Sequence, residues 1–151
     1  MATTRKEAPL QDIIAAIRDR VEHRLNQPDD RLEGLQSVIY GEKQRLGAMR
    51  APAIWVVAEP YTPELQGGHT VIHRVPYNMV ALVKDSDPQR GIKTAERLAD
   101  GAYDVLMEGR TLDDLVSLVR PGQRDPGFEA GNNQQLQFAA VQVIFEFRRK
   151  E

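Results

Sequence analysis

Two segments have the apolar spacing of helices that pack against a core. In the first, apolar residues recur three and four positions apart, which predicts a helix from Pro9 to Asn26. These residues are Leu10, Ile13, Ile14, Ile17, Val21 and Leu25. The second segment begins at Asp87-Pro88, where the aspartate suits a helix cap and the proline suits the first helical position, and it runs to about Met107. Its predicted buried face is made of small and aliphatic side chains: Ile92, Ala95, Ala99, Ala102 and Leu106.

Three further segments have the pattern of β-strands. Ala53 to Ala58 is a short apolar run, which predicts a strand buried on both faces. Apolar and polar residues alternate most strongly in Leu136 to Arg148, and they also alternate in His69 to Lys84. Pro76 lacks an N–H group, so it predicts an edge position or a bulge. In the segment that contains Pro76, the polar face carries Thr70, Arg74 and Asn78.

The remaining segments give weaker patterns. Leu35 to Tyr40 predicts a strand, although Leu32, Leu35, Ile39 and Leu46 also fit a short helix. Thr111 to Val119 predicts a short helix that runs into a strand. Glu59–Gly68 and Arg120–Gln135 predict long loops, the second because it is rich in Pro, Gly and Asn and has no period.

The order of helix, strands, helix and strand predicts an α+β fold, with a largely antiparallel sheet flanked by helices. The length of 151 residues fits one domain over 1–151, with residues 1–8 as a flexible N-terminal arm. Lys and Arg total 20 and Asp and Glu total 22, which gives a net charge of −2. This net charge argues against binding to nucleic acid or an anionic membrane through the overall charge of the protein. The absence of cysteine rules out disulfides, thiolate nucleophiles and cysteine-ligated zinc. No apolar run is long enough to predict a membrane-spanning helix.

Candidate chemistry along the chain is sparse. His69 and His73 have the spacing of a helical zinc pair, but on a strand four residues span roughly 13 Å, too far for one ion. Gly91–Thr94 lacks the glycine spacing of a phosphate-binding loop and is interpreted as helix surface. Asp113 and Asp114 are neighbours that diverge on a helix, so they do not form a catalytic pair. These residues therefore give only weak signals for catalysis or metal binding.

The arrangement of the chain resembles the tail terminator (tail completion) proteins of long-tailed bacteriophages, of the lambda type. The resemblance covers about 140 residues by length and element order. The features that carry it are, in chain order, the amphipathic first helix, the segment Ala51–Val57 with its proline followed by an apolar strand, a Gly-containing hairpin, the long strand Val71–Val83, the helix Pro88–Met107, the segment Thr111–Val119 and the closing strand Gln137–Val143. The resemblance implies a virion protein, made in the host cytoplasm, that forms a ring of six copies on the head-proximal end of the tail tube. It implies a structural role, not an enzyme, and no metal or other cofactor.

The resemblance also implies the partners: other copies of the chain, the tail-tube protein, and a head-tail connector or head-closure protein. It further implies that DNA passes through the lumen of the ring without sequence-specific contacts and that no membrane is bound. The candidate interface residues are apolar or basic residues in the two predicted loops and at the C-terminal end: Tyr61, Leu65, Arg120, Arg124, Phe128, Arg148 and Arg149.

Two alternatives stay open at this stage. The chain also fits another neck or tail component, such as a head-closure or tail-tube protein. A small enzyme would place its site under the Arg120–Gln135 loop. Its candidate residues are Arg120, Arg124, Asp125, Glu129 and His73, which no sequence spacing links together.

Overall fold

Both predicted helices form within a residue or two of the expected bounds. The computed structural model describes residues 8–41, 50–130 and 135–151. Helix α1 spans Leu10–Leu25 and helix α2 spans Pro88–Met107. The carboxylate of Asp87 caps α2 by accepting hydrogen bonds from the backbone N–H groups of Gln89 and Arg90. A 3₁₀ turn, Asp30–Leu32, follows α1.

The described strands form one largely antiparallel sheet, which confirms the predicted α+β class. In chain order they are β1 Ser37–Tyr40, β2 Ala53–Ala58, β3 Glu64–Gly67, β4 Thr70–Lys84, β5 Leu118–Glu129 and β6 Leu136–Lys150. The spatial order is β1-β2-β4-β6-β5, and β3 pairs with the first residues of β4. Only the β1–β2 pair is parallel. The two 15-residue strands β4 and β6 pair along their full length and lie in the interior of the sheet.

Both helices pack on the same face of the sheet. Odd-numbered residues of β4 and β6, such as Tyr77 and Phe145, are buried in one cluster with Ile17 of α1 and Leu98 of α2. The small residues of α2 let this helix lie close to its neighbours: a side chain on Gly101 would meet the backbone carbonyl group of Arg31. The core therefore lies between one face of the sheet and the two helices.

The prediction of a long loop over Arg120–Gln135 is wrong for most of its length, because residues up to Glu129 form β5. Two irregularities in the pairing with β6, at Pro121–Arg124 and Asp125–Phe128, remove the alternation that would have indicated a strand. Pro121 and Pro126 are tolerated because β5 lies at the edge of the sheet. Residues 131–134 of the predicted loop lie outside the described residues.

The prediction of a loop over Glu59–Gly68 is also wrong in part, since Glu64–Gly67 forms β3. All four residues of β3 are exposed, so the segment has no buried face that a hydrophobic pattern could have indicated. Gly67 and Gly68 have positive φ angles of 149° and 54° and make the turn into β4.

The predicted helix at the start of Thr111–Val119 does not form. Leu112, Asp113 and Asp114 all have positive φ, between 49° and 65°, and make a left-handed turn. The hydroxyl of Thr111 accepts a hydrogen bond from the backbone N–H of Asp114, which supports the turn. The predicted strand at the end of this segment does form, from Leu118 onward.

Pro76 lies inside β4, which pairs on both sides and is not an edge strand. It falls in the interval between the residues that pair with β3 and those that pair with β2. Its carbonyl group accepts a hydrogen bond from the N–H of Glu59, just beyond β2. Since the N and O atoms of one strand residue point to the same side, the missing N–H faces this interval and no bond to β6 is lost.

The remaining predictions for local structure have mixed outcomes. The strand predicted at Leu35–Tyr40 forms over Ser37–Tyr40. Leu46, which the alternative helix requires, lies outside the described residues. Residues 1–7 of the predicted N-terminal arm also lie outside them, whereas the carbonyl group of Ala8 accepts a hydrogen bond from Arg149 Nε.

Candidate functional site

The face of the sheet opposite the helices carries rows of apolar side chains that cross several strands. We call it the helix-free face, because neither of the two described helices packs on it. In one row the register aligns Trp55, Val80 and Ala140. In the next row it aligns Leu82, Phe138 and Phe128. Except for Leu82, which is buried, and Phe128, which is exposed, these residues are half-buried, so they present apolar surface to solvent.

Phe128 is the most exposed member of these rows, with 54% of its surface accessible. Its ring stacks on that of Phe138, with centroids 5.4 Å apart and an interplanar angle of 23°. The pair extends the apolar surface from the centre of the sheet to the edge strand β5. Exposed aromatic surface of this kind is typical of sites that bind a partner.

At the other end of the helix-free face, three arginines surround one buried carboxylate. Glu146, on β6, is only 4% exposed. Its Oε1 lies 2.8 Å from Nε of Arg74 on β4 and 3.4 Å from Nε of Arg120 on β5. Its Oε2 lies 3.9 Å from Nη1 of Arg148 on the same strand. We call Arg74, Arg120 and Arg148 the arginine cluster.

The pairing across strands explains why these side chains meet. Arg74 lies directly opposite Glu146 in the β4–β6 register, and Arg148 is two residues along the same face of β6. Arg120 lies opposite Ile144, which is two residues from Glu146 on the same face of β6 but in the direction away from Arg148. A second carboxylate, Glu64 of β3, also pairs with Arg74. The hydrogen bonds to Glu146 and then to Glu64 raise the pKa of Arg74 above its ordinary value.

Two of the predicted interface residues, Arg120 and Arg148, are thus brought together in one site. Arg74 completes this site but was not among the predicted interface residues. The strand alternation does assign Arg74 to the polar face of β4. The register of three strands, which no sequence pattern specifies, is what places it beside the other two arginines.

Tyr61 and Arg149 lie away from the arginine cluster. The hydroxyl of Tyr61 is 2.9 Å from Nδ1 of His73, which is fully buried on the helix side of β4. Nε2 of His73 lies 2.5 Å from the carboxylate of Glu151, and this hydrogen bond lowers the pKa of Glu151. Arg149 is 3.2 Å from the same carboxylate. Tyr61 and Arg149 are therefore engaged in contacts within their own chain.

Leu65 and Arg124 have different surroundings again. Leu65 is 70% exposed on β3, the most exposed large apolar side chain in the described part of the chain. Gln66, its neighbour, accepts a hydrogen bond from Nε of Arg148, so β3 borders the arginine cluster. Arg124 makes two hydrogen bonds to Asp100 of α2, at 2.8 and 2.9 Å, which fasten β5 to the helix layer.

The residues of the alternative enzyme site do not converge. Arg120 lies on the helix-free face, whereas His73 is buried on the helix side with Tyr61 and Glu151. Arg124 is paired with Asp100. Gly91, interpreted from sequence as helix surface, is in fact buried, because the side chain of Gln137 packs directly over it. Across 8–41, 50–130 and 135–151, no three His, Asp or Glu side chains are grouped so that they could hold a metal ion.

Two of the grooves in the described part of the chain lie beside α1. One, of about 670 Å³, lies beside the start of α1 and is bordered by Leu10, Ile14 and Arg149. The other, of about 420 Å³, separates the C-terminal ends of α1 and α2. In the second groove Arg24 pairs with Asp113, and Arg31 pairs with both Asp29 and Glu108, so its charges are largely neutralised internally.

No protein-family model matches the chain, and a comparison with curated proteins finds no match. Neither of the described helices combines the length and the apolar character needed to cross a membrane. The helix-free face, with its apolar rows and its arginine cluster, is therefore the structural feature that bears on function.

Proposed function

We propose that this protein is a structural virion subunit of the tail terminator type, which assembles into a ring and caps the head-proximal end of a phage tail tube. The observation that carries the proposal is the helix-free face. Its apolar rows reach from β2 to the exposed Phe128 on β5. Exposing apolar surface to water costs roughly 25 cal/mol per Å². A neighbouring subunit that covers this surface would remove that cost.

A ring requires two different patches on each subunit, one that meets each neighbour. The helix-free face offers one patch with two chemically distinct ends, apolar at Phe128 and Phe138 and basic at the arginine cluster. The exposed strand β3 offers a separate surface for the second patch. We propose that the apolar rows pack against the next copy, and that the opposite ends of the ring contact the tail tube and the head connector.

The mass of the purified chain, measured by native mass spectrometry over increasing concentration and again after mixing with tail tubes, tests the proposal. We expect a ring, six copies by the resemblance, either in solution or on the tubes. The substitution Phe128→Lys, at an exposed edge position, is expected to shift the assembly toward monomer. The matched control is Lys93→Glu on the outer surface of α2, which is expected to leave the assembly unchanged.

A chain that stays monomeric in the presence of tail tubes would contradict the proposal. A ring found at another position in the particle would favour a head-closure or tail-tube role instead. The position of the chain is measured by electron microscopy of labelled particles, and a label at the head-proximal end of the tube is the expected result.

A further inference from the structure

The arginine cluster has unused capacity for anions. Its three guanidinium groups face two carboxylates, Glu146 and Glu64. Lys150 lies on the same face of β6, two residues beyond Arg148, and is exposed. The cluster therefore carries net positive charge, on a chain whose overall charge is −2.

Most of the N–H donors of the cluster are unused within the described residues. An arginine side chain offers five N–H donors in a planar fork. Arg148 donates one hydrogen bond, to Gln66, and Arg120 donates none to a described residue, although it contacts Glu146 at 3.4 Å. The side chains of Arg120 and Arg148 are 48% and 45% exposed, so their remaining donors face solvent.

The cluster is also preorganised. Its members lie on three adjacent strands, which are spaced about 4.8 Å apart. Three like charges at such short range repel one another, and the buried carboxylate of Glu146 compensates for this repulsion. A ligand that arrives at the site therefore does not have to bring the arginines together, which lowers the entropic penalty of binding.

The surroundings favour carboxylates over a nucleic-acid backbone. Glu64 comes from a separate strand and is itself largely exposed, yet it docks on Arg74, so the site already binds one surface carboxylate. Two apolar residues border the arginines: Leu118 opposite Glu146, and Ile144 opposite Arg120. A phosphate backbone instead calls for a row of basic residues along its path. Apolar neighbours of this kind are typical of a protein interface.

We propose that the arginine cluster is a docking site for an acidic segment of a partner protein, whose carboxylates bind Arg120 and Arg148 while an apolar side chain contacts Leu118 and Ile144. This inference deepens the proposed function, because it names the chemistry of a protein that meets the helix-free face. The bidentate geometry of guanidinium and carboxylate groups makes arginine better suited to this contact than lysine.

A titration of the full-length chain with a hexaglutamate peptide, followed by NMR of the arginine Nε–H groups, tests the inference. We expect the signals of Arg120 and Arg148 to shift, and we expect the double variant Arg120→Gln/Arg148→Gln to bind at least about tenfold more weakly. The control variant Lys84→Gln/Lys93→Gln removes two positive charges elsewhere and is expected to bind within about twofold of the unmodified chain. If the double variant does not fold, the single variant Arg120→Gln is titrated in its place.

Equal binding of the peptide to the unmodified chain and to the double variant would overturn the inference, as would the absence of binding. Tighter binding of a short DNA duplex than of the peptide at the same ionic strength, lost in the double variant, would also overturn it and would assign the site to phosphodiesters. The titration does not require ring formation. A chain that binds the peptide but does not assemble would contradict the proposed function and leave this inference standing.

Discussion

The hydroxyl of Tyr61 lies 2.9 Å from Nδ1 of His73, and this contact fastens the segment between β2 and β3 to the first part of β4. His73 is fully buried, and its ring stacks on that of Phe147 with centroids 4.9 Å apart. The other ring nitrogen, Nε2, lies 2.5 Å from the carboxylate oxygen Oε2 of Glu151. Both nitrogens of a buried imidazole are thus satisfied by side chains from segments distant in sequence.

The substitution Tyr61→Phe removes the hydroxyl and leaves Nδ1 of His73 buried without its partner. We expect the free energy of unfolding to fall by about 1–2 kcal/mol, since an unsatisfied buried polar atom loses its hydration without compensation. Urea denaturation measures the change. Tyr103→Phe is the control, because the hydroxyl of Tyr103 makes no hydrogen bond to a described residue, and its effect is expected to stay within about 0.5 kcal/mol. Equal effects of the two substitutions would argue against the contact.

Replacing Glu146 with glutamine removes the charge that holds the arginine cluster together. We expect Glu146→Gln to lower the free energy of unfolding by about 1–2 kcal/mol, because three guanidinium groups then lack their shared carboxylate and repel one another. Glu64→Gln is the matched control at the exposed carboxylate and is expected to have a smaller effect. Denaturant unfolding at low and high salt measures both variants. A larger loss for Glu64→Gln would contradict the central role of Glu146.

Gly101 allows α2 to approach the 3₁₀ turn at Asp30–Leu32. A methyl group at Gly101 would collide with the backbone carbonyl group of Arg31, which has no flexible end that can move aside. We therefore expect Gly101→Ala to lower the free energy of unfolding by about 1–3 kcal/mol, even though alanine is the better helix former. Thermal unfolding measures the change. Lys93→Ala, at an exposed site on the same helix, is expected to be neutral, and a stabilised Gly101→Ala variant would refute the close packing.

Stability is expected to fall in acid partly through Asp85. Its hydrogen bond with Arg90, reinforced by the backbone N–H of Asp87, lowers the pKa of Asp85 from 3.8 to about 2 in the folded state. A carboxyl group with a lowered folded-state pKa stabilises the fold above its unfolded-state pKa, and this contribution is lost as the pH falls from about 4 to about 2. Urea unfolding of the wild type and Asp85→Asn at several pH values measures it. The difference between them should be largest near neutral pH and should shrink as the pH falls from about 4 through about 2, and a difference independent of pH would contradict the assignment.

The elements predicted correctly from sequence are those whose burial repeats regularly. The period of α1 follows from Ile17, Val21 and Leu25, which all face the core. The alternation of β4 and β6 survives because each buries every second residue against the helices. The predicted buried face of α2 does face the core, and at Gly101 the helix lies so close to Arg31 that a Cβ atom would collide with its carbonyl group.

The elements that the sequence did not predict are those that form through pairing with a neighbouring strand and lack a hydrophobic pattern of their own. β5 is a strand because β6 offers a long edge to pair with, not because of its own residues. Two of its glycines lie beside irregularities in the pairing and make room for neighbours: Gln142 fills the space at Gly122, and Ile92 fills the space at Gly127. In a single sequence, glycines of this kind cannot be distinguished from those of a loop.

The candidate site was predictable only in part. Basic residues such as Arg120 and Arg148 could be chosen from sequence as exposed charges, but their meeting with Arg74 depends on the strand order β4-β6-β5. Glu146 alternates with the apolar residues of β6 and looks like an ordinary solvent-facing position. Its burial follows from the three arginines that cover it.

The central claim, that this chain caps a phage tail tube, is tested most directly by the length of tubes polymerised from the matching tube protein and measured by electron microscopy. With the unmodified chain present, we predict short tubes that carry a ring at one end. With Phe128→Lys, and with Val80→Lys as a second substitution in the apolar rows, we predict tubes that keep growing, provided that each variant is folded. Tubes that grow equally long with and without the unmodified chain would contradict the claim, as would full capping by both variants.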